Sequence, residues 1–184
     1  MRRLSVLVFL GAILAGSAAH GAVSVFGGGF AQKCYEAAKF GRLDDASVGY
    51  CDAALLNEPL SAADRGGTYV NRGVMRLRRH EFALAQADLE QGVTLNPNAG
   101  DGWLDRGAAY LAQHRWLDGL NDLNRALSLG CSEPEKAYFN RAIAEEGLDN
   151  EKAAYFDYRH ALELKPDWPA PQQELLRFTV VVQP

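Results

Sequence analysis

Apolar positions recur at helical spacing along most of this chain, interrupted at short intervals by polar turn residues. Tyr50, Ala53, Ala54 and Leu55 mark the packed face of one helix, and Gly41-Arg42-Leu43-Asp44-Asp45-Ala46 reads as the turn that precedes it. Ser61 is a good N-cap with an acid, Asp64, three residues on, so the next helix starts early and runs to about Arg79. Pro169 and Pro171 open a short helix that continues through Gln172 to Phe178. Two stretches break the pattern. Leu4 to Ala15 is a predominantly apolar run, and Thr179-Val180-Val181-Val182 has the β-branched composition of a strand.

The helical pattern is periodic on a larger scale. Tyr69-Val70-Asn71-Arg72-Gly73 overlays Trp103-Leu104-Asp105-Arg106-Gly107 at an offset of 34, and Tyr138-Phe139-Asn140-Arg141-Ala142 follows 35 further on. Each block is followed by a second matching stretch: Ala85, Asp88-Leu89 and Gly92, then Gly119, Asp122-Leu123 and Ala126, then Ala154, Asp157-Tyr158 and Ala161. Pro97 and Pro166 close two units, with Cys131 at that place in the middle one. Recurrence of several anchor positions together resembles the tetratricopeptide repeat. Arg76 and Glu145 depart from it, standing where that family often has Tyr, and one extra residue near Ser132 to Glu135 disturbs the third junction.

The resemblance implies an all-α fold, a right-handed α-solenoid of about four helix pairs with a C-terminal capping helix. Its units are residues 30–60, which are degenerate, then 61–99, 100–134 and 135–168, with a cap at 169–178 and a tail at 179–184. Small residues at Gly73, Gly107 and Ala142 let the second helix of each unit approach, where Ala85, Gly119 and Ala154 face them.

Arg72 with Asp88, Arg106 with Asp122, and Arg141 with Asp157 are each 16 residues apart. In the family's geometry these lie on facing helices, which implies a structural ion pair within each repeat rather than three copies of a catalytic arginine. Cys34 and Cys51, separated by 17, hold similar places in the degenerate unit, where a disulfide would clamp the two helices; two buried thiols are the alternative. Cys131 is then left as a free thiol.

The family's concave surface, carried over, gives three rows: Val70, Leu104 and Phe139; Asn71, Asp105 and Asn140; Val74, Ala108 and Ile143. The middle row suits an extended peptide, because an amide both donates to and accepts from a main chain. Packing between neighbouring units is the competing role for part of these rows. The basic residues with which some relatives clamp a terminal carboxylate are not reproduced.

The start of the chain, Met1-Arg2-Arg3, then the apolar run, then Ser17, Ala18, Ala19, Gly21 and Ala22, has the plan of a secretory signal peptide over residues 1–22, cut between Ala19 and Ala22. A dozen apolar residues reach about 18 Å as a helix, short of a membrane span, so a retained anchor is the weaker reading. Export makes the protein periplasmic or secreted and places its 3 cysteines where disulfides form. Residues 23–29, with the glycine run, read as a flexible segment. The net charge of −4 becomes −6 once Arg2 and Arg3 are removed, which offers no footprint for nucleic acid and leaves membrane contact to the leader. His80 and His114 share one turn position, and no nucleophile, metal-ligand or phosphate-loop motif occurs.

The expectation is a non-catalytic module or assembly scaffold, without cofactor or metal, that binds a protein or peptide in its groove. A structural or regulatory subunit of an envelope complex is the alternative, with a cell-wall enzyme behind it. The tail needs a cover, since a bare apolar strand invites aggregation. Either it folds back on the last helices, which is favoured because Leu175, Leu176 and Phe178 continue the cap, or it pairs with a partner such as a second copy, the termini being held far apart.

Overall fold

A computed structural model describes residues 4–8, 22–24 and 29–182, the side chains of 4–8 and 180–182 excepted. Residues 9–21, which hold most of the expected leader, lie outside the description, as do 25–28 and the end of the tail. The described elements are β1 (Leu4–Val8), α1 (Phe30–Lys39), α2 (Asp45–Asn57), α3 (Ala62–Arg78), α4 (Phe82–Leu95), α5 (Gly100–Leu111), α6 (Trp116–Ser128), α7 (Pro134–Gly147), α8 (Glu151–Leu164), α9 (Pro169–Leu175) and β2 (Phe178–Val182).

Successive helices pack as pairs, α1 on α2, α3 on α4, α5 on α6 and α7 on α8, and each pair leans on the next. The result is an all-α right-handed solenoid with α9 across its end. Pair formation follows from small residues at the crossing. A methyl group on Gly73 would come within 2.8 Å of Leu89, and one on Gly107 within 2.9 Å of Leu123, so the bare backbone is what lets α4 and α6 seat so closely. Leu89 and Leu123 are fully buried there, as is Tyr158 at the matching place in α8.

Turn chemistry sets the pair geometry. The Glu81 N–H donates to the Arg76 carbonyl at 2.9 Å while the His80 N–H donates to Leu77 at 3.0 Å, and the same two bonds recur at Arg115 with His114 and at Asn150 with Asp149. This is the Schellman closure of a helix, and it puts the residue before the last donor in the left-handed region. His80, His114 and Asp149 accordingly have φ of 60°, 57° and 61°. Ser61 caps α3, accepting from the Asp64 N–H at 3.1 Å and donating back to its carboxylate at 2.6 Å. The opening of α1 has no cap of its own; the Glu58 carboxylate, beyond the end of α2, accepts from the Phe30 and Ala31 N–H groups.

The two ends differ from expectation. The termini are not far apart: β1 and β2 form an antiparallel ladder in which Leu4 faces Val182 and Val8 faces Phe178. Of the residues expected to continue the cap, Phe178 seats on the helices, 5.7 Å from the Tyr155 ring and 6.0 Å from Tyr158, and Leu175 packs against the same core, but Leu176 is 86% exposed and the chain from Phe178 to Val182 runs as a strand rather than as more helix. A strand has no way to satisfy its main chain against a helix side, so the tail pairs with the other β-competent run. Residues 23 and 24 are also not a free joint, because Val23 is bound to α3.

Candidate functional site

The three repeated ion pairs share one geometry. Arg72 grips Asp88 through Nε at 2.8 Å and Nη2 at 2.6 Å; Arg106 grips Asp122 at 2.7 and 2.9 Å; Arg141 grips Asp157 at 2.7 and 2.7 Å. The aromatic residue three positions earlier lies under each guanidinium: Tyr69 at 5.3 Å, Trp103 at 4.7 Å and Tyr138 at 5.1 Å. All three carboxylates are buried. Hydrogen bonds that Arg106 donates to Asp122 outweigh burial and hold it more basic than usual, and those that Arg141 donates to Asp157 do the same. These pairs join the two helices of each unit.

Sequence reasoning missed what the spare nitrogens do. Arg72 Nη1 reaches Asp52 of α2 at 2.6 Å, and Arg141 Nη1 reaches Asn124 of α6 at 2.9 Å, so each ties its pair to the preceding one. Arg76, at the family's Tyr position, adds a second guanidinium to Asp88 at 2.6 Å. In the first pair a disulfide joins Cys34 to Cys51. Cys131 is free and buried, and burial pushes its thiol up to about 11. Among the described residues no cluster of three His, Cys, Asp or Glu side chains is placed to hold a metal, and no helix is long and apolar enough to cross a membrane.

The three rows expected to line an open groove are closed. Val70, Leu104, Phe139, Val74, Ala108 and Ile143 are all buried. The first row is inter-unit packing: Val70 fills the space left by Gly92 and Gly102 on the neighbouring helices, and Phe139 stacks on Tyr158 and Trp168. Val74 is likewise core, in one cluster with Leu77, Leu89 and Ala109.

The middle row behaves differently. Asn71, Asp105 and Asn140 are completely buried, yet they are polar. Asn71 Oδ1 accepts the Val23 N–H at 2.8 Å, and Asn71 Nδ2 donates to the Val23 carbonyl at 2.8 Å. One side-chain amide thus satisfies both main-chain groups of one residue, as a neighbouring strand does in an antiparallel pair. One and two repeats further on, both carboxylate oxygens of Asp105 and both amide atoms of Asn140 have no hydrogen-bond partner among the described residues. Burial, with Asp101 and Glu133 nearby, raises the Asp105 carboxyl well above the usual carboxylate range, only partly opposed by Lys136 and Arg78. A protonated Asp105 carries one donor and one acceptor, the same complement that Asn71 presents to Val23.

No protein-family model matches the chain. The Dictyostelium discoideum DnaJ homolog subfamily C member 7 homolog is 27% identical over 105 residues, 57% of this chain but 19% of that protein. The Arabidopsis thaliana E3 ubiquitin-protein ligase CHIP is 28% identical over 126 residues, 68% of this chain and 41% of its own length. The chain therefore spans less than half of these curated relatives. Among solved structures, the first tetratricopeptide domain of Spaghetti (RPAP3), bound to the HSP90 peptide SRMEEVD, superposes with a TM-score of 0.58 at 23% identity, covering 61% of this chain and 89% of that one. MamA superposes with a TM-score of 0.63 at 16% identity, covering 79% and 80%. Repeat spacing, paired helices and these superpositions together give the chain the fold of a tetratricopeptide-repeat domain.

Proposed function

We propose that this chain is an exported, non-catalytic interaction module whose polypeptide partner reaches Asn71, Asp105 and Asn140 by displacing what covers them. The observation that supports this reading is the pair of hydrogen bonds between Asn71 and Val23: the first position of the row holds main chain from this same molecule, and the next two positions hold buried polar atoms without a hydrogen-bond partner among the described residues. A buried unpaired polar group costs about 1 to 3 kcal/mol, which a ligand main chain would relieve. The solved relative that holds a peptide supports a protein partner. Its peptide ends in acidic residues, whereas the row here is a line of amides and one carboxyl that suits main chain rather than a charged terminus. Met1-Arg2-Arg3 followed by the run from Leu4 to Ala15, together with the Cys34–Cys51 bridge, supports export to an oxidising compartment.

The test is a photo-crosslinking residue at part-exposed Lys136, one turn before Asn140 on α7, compared with one at the exposed Lys152 of α8, in the full chain expressed in its own cell. Mass mapping is expected to find one polypeptide joined at position 136 and not at 152, with the yield falling at least tenfold in Asn140→Leu. Equal crosslinking at both positions, or a yield indifferent to Asn140, overturns the reading. Fractionation of the same cells, with the mature N-terminus sequenced, tests export. A chain that begins at Met1 and stays with the cytosol would sink that part.

A further inference from the structure

Residues 22–24 are held at three points. Val23 exchanges its two main-chain hydrogen bonds with Asn71, and its side chain packs against the cluster of Val70, Val74, Leu77 and Ala109. Ala22 packs on the cluster around Cys34, Ala37 and Met75, and Ser24 hydrogen-bonds the Tyr35 hydroxyl. The segment is apolar at its centre and small on either side, and it engages α1 and α3 together. Only the first position of the Asn71, Asp105, Asn140 row is satisfied; the equivalent side chains in the next two repeats are equally buried and unpaired.

We propose that residues 22–24 are a built-in occupant of the row, and that a partner takes the Asn71 position only by displacing them with an extended segment of the same kind, a β-branched or other mid-sized apolar residue flanked by small ones. The inference rests on the row being a polypeptide site. Charge does not select this partner, because what contacts Val23 is one amide and an apolar wall. Tethering gives the internal segment an effective concentration on the order of millimolar, so a free competitor of equal intrinsic affinity binds weakly until the segment is released.

The experiment uses the full chain. Val23→Asp places a charge against the apolar wall and expels the segment while leaving the row itself untouched. A fluorescent peptide with the sequence of residues 20–26 is titrated by anisotropy into the wild-type chain, the Val23→Asp chain and the Val23→Asp, Asn71→Ala chain, all checked for helix content. Expected is binding at least tenfold tighter to Val23→Asp than to wild type, lost again in the double variant. Equal binding to wild type and Val23→Asp overturns the proposal. Amide hydrogen exchange supplies a readout without a peptide: the Val23 N–H is protected in wild type and exposed in Asn71→Ala, and a Val23 amide that exchanges freely in wild type also overturns it. Crosslinking at Lys136 that persists while Val23 exchanges freely would remove the occupant and keep the polypeptide site. A protected Val23 with no partner at Lys136 would do the reverse.

Discussion

Arg106 rests over the indole of Trp103 at 4.7 Å while its Nε and Nη2 grip both oxygens of Asp122. The two residues are one helical turn apart on α5, so the ring backs the guanidinium by a contact within its own helix. Trp103 is fixed in turn, donating its indole N–H to the Pro97 carbonyl at 2.9 Å. The arrangement makes the ion pair a device of register between the helices of a unit rather than a surface ornament.

Removing one member leaves a charge with little access to water, since the side chains of Arg106 and Asp122 are only 17% and 8% exposed. Arg106→Met should destabilise the domain by about 3 kcal/mol, and adding Asp122→Leu should recover most of that loss. Urea unfolding of the two variants measures both values. A double variant no more stable than the single one would refute the assignment.

Asn71 and Asn140 occupy equivalent places with opposite accounts of their hydrogen bonds. Asn140→Leu removes an unpaired buried amide and should raise stability by about 1 kcal/mol, while Asn71→Leu strands the Val23 N–H and carbonyl and should lower it by about 2 kcal/mol. Thermal melts decide the signs. If the row serves a partner, the stabilised Asn140→Leu chain is also the one that loses binding.

Asp105 gives a pH dependence whose sign follows from burial. Its folded-state carboxyl titrates above the unfolded one, so its contribution to stability is intact below about pH 4, the unfolded value, and is lost as pH rises through the folded value. Asp101 and Glu133 strengthen this trend, and Lys136 and Arg78 weaken it. Asp105→Asn should therefore raise the melting temperature clearly near neutral pH and much less near pH 4. An increment that does not grow with pH would contradict the assignment.

Asp149 holds a left-handed conformation on an exposed turn with φ of 61°. Asp149→Gly should stabilise by roughly 0.5 to 1 kcal/mol, the relief of Cβ crowding exceeding the added chain entropy. His114→Gly at the same turn position should gain less, because the imidazole also packs edge-on against Trp116 at 4.9 Å. Chemical denaturation of the two single variants checks the order.

Much of this was legible in the sequence because the forces involved are local or repeated. Offsets of 34 and 35 locate the helix pairs, a 16-residue separation brings each Arg to its Asp, and Ser61 announces α3. The cross-unit partners of the arginines were not legible: Asp52 and Asn124 stand at different separations from Arg72 and Arg141, so no period marks them. The depth of the rows was also hidden. Val70, Leu104 and Phe139 are apolar whether they line a groove or pack between units, and only the glycines opposite Val70 reveal which. Val23 carried no signal, since a residue recognised through its main chain leaves its identity free. The β1–β2 ladder was masked by composition, because the run from Leu4 to Ala15 fits an export signal as well as a strand.

The two N-terminal attachments have different lifetimes if the chain is processed between Ala19 and Ala22. Val23 stays on the mature chain and keeps its grip on Asn71, but Leu4–Val8 departs with the leader and takes the only strand paired with Phe178–Val182 among the described residues. The newborn chain would carry its own chaperone for an adhesive edge, discarded at the moment of arrival. Maturation would then act as a one-way timer, keeping the tail inert during transit and making it available for strand addition at its destination.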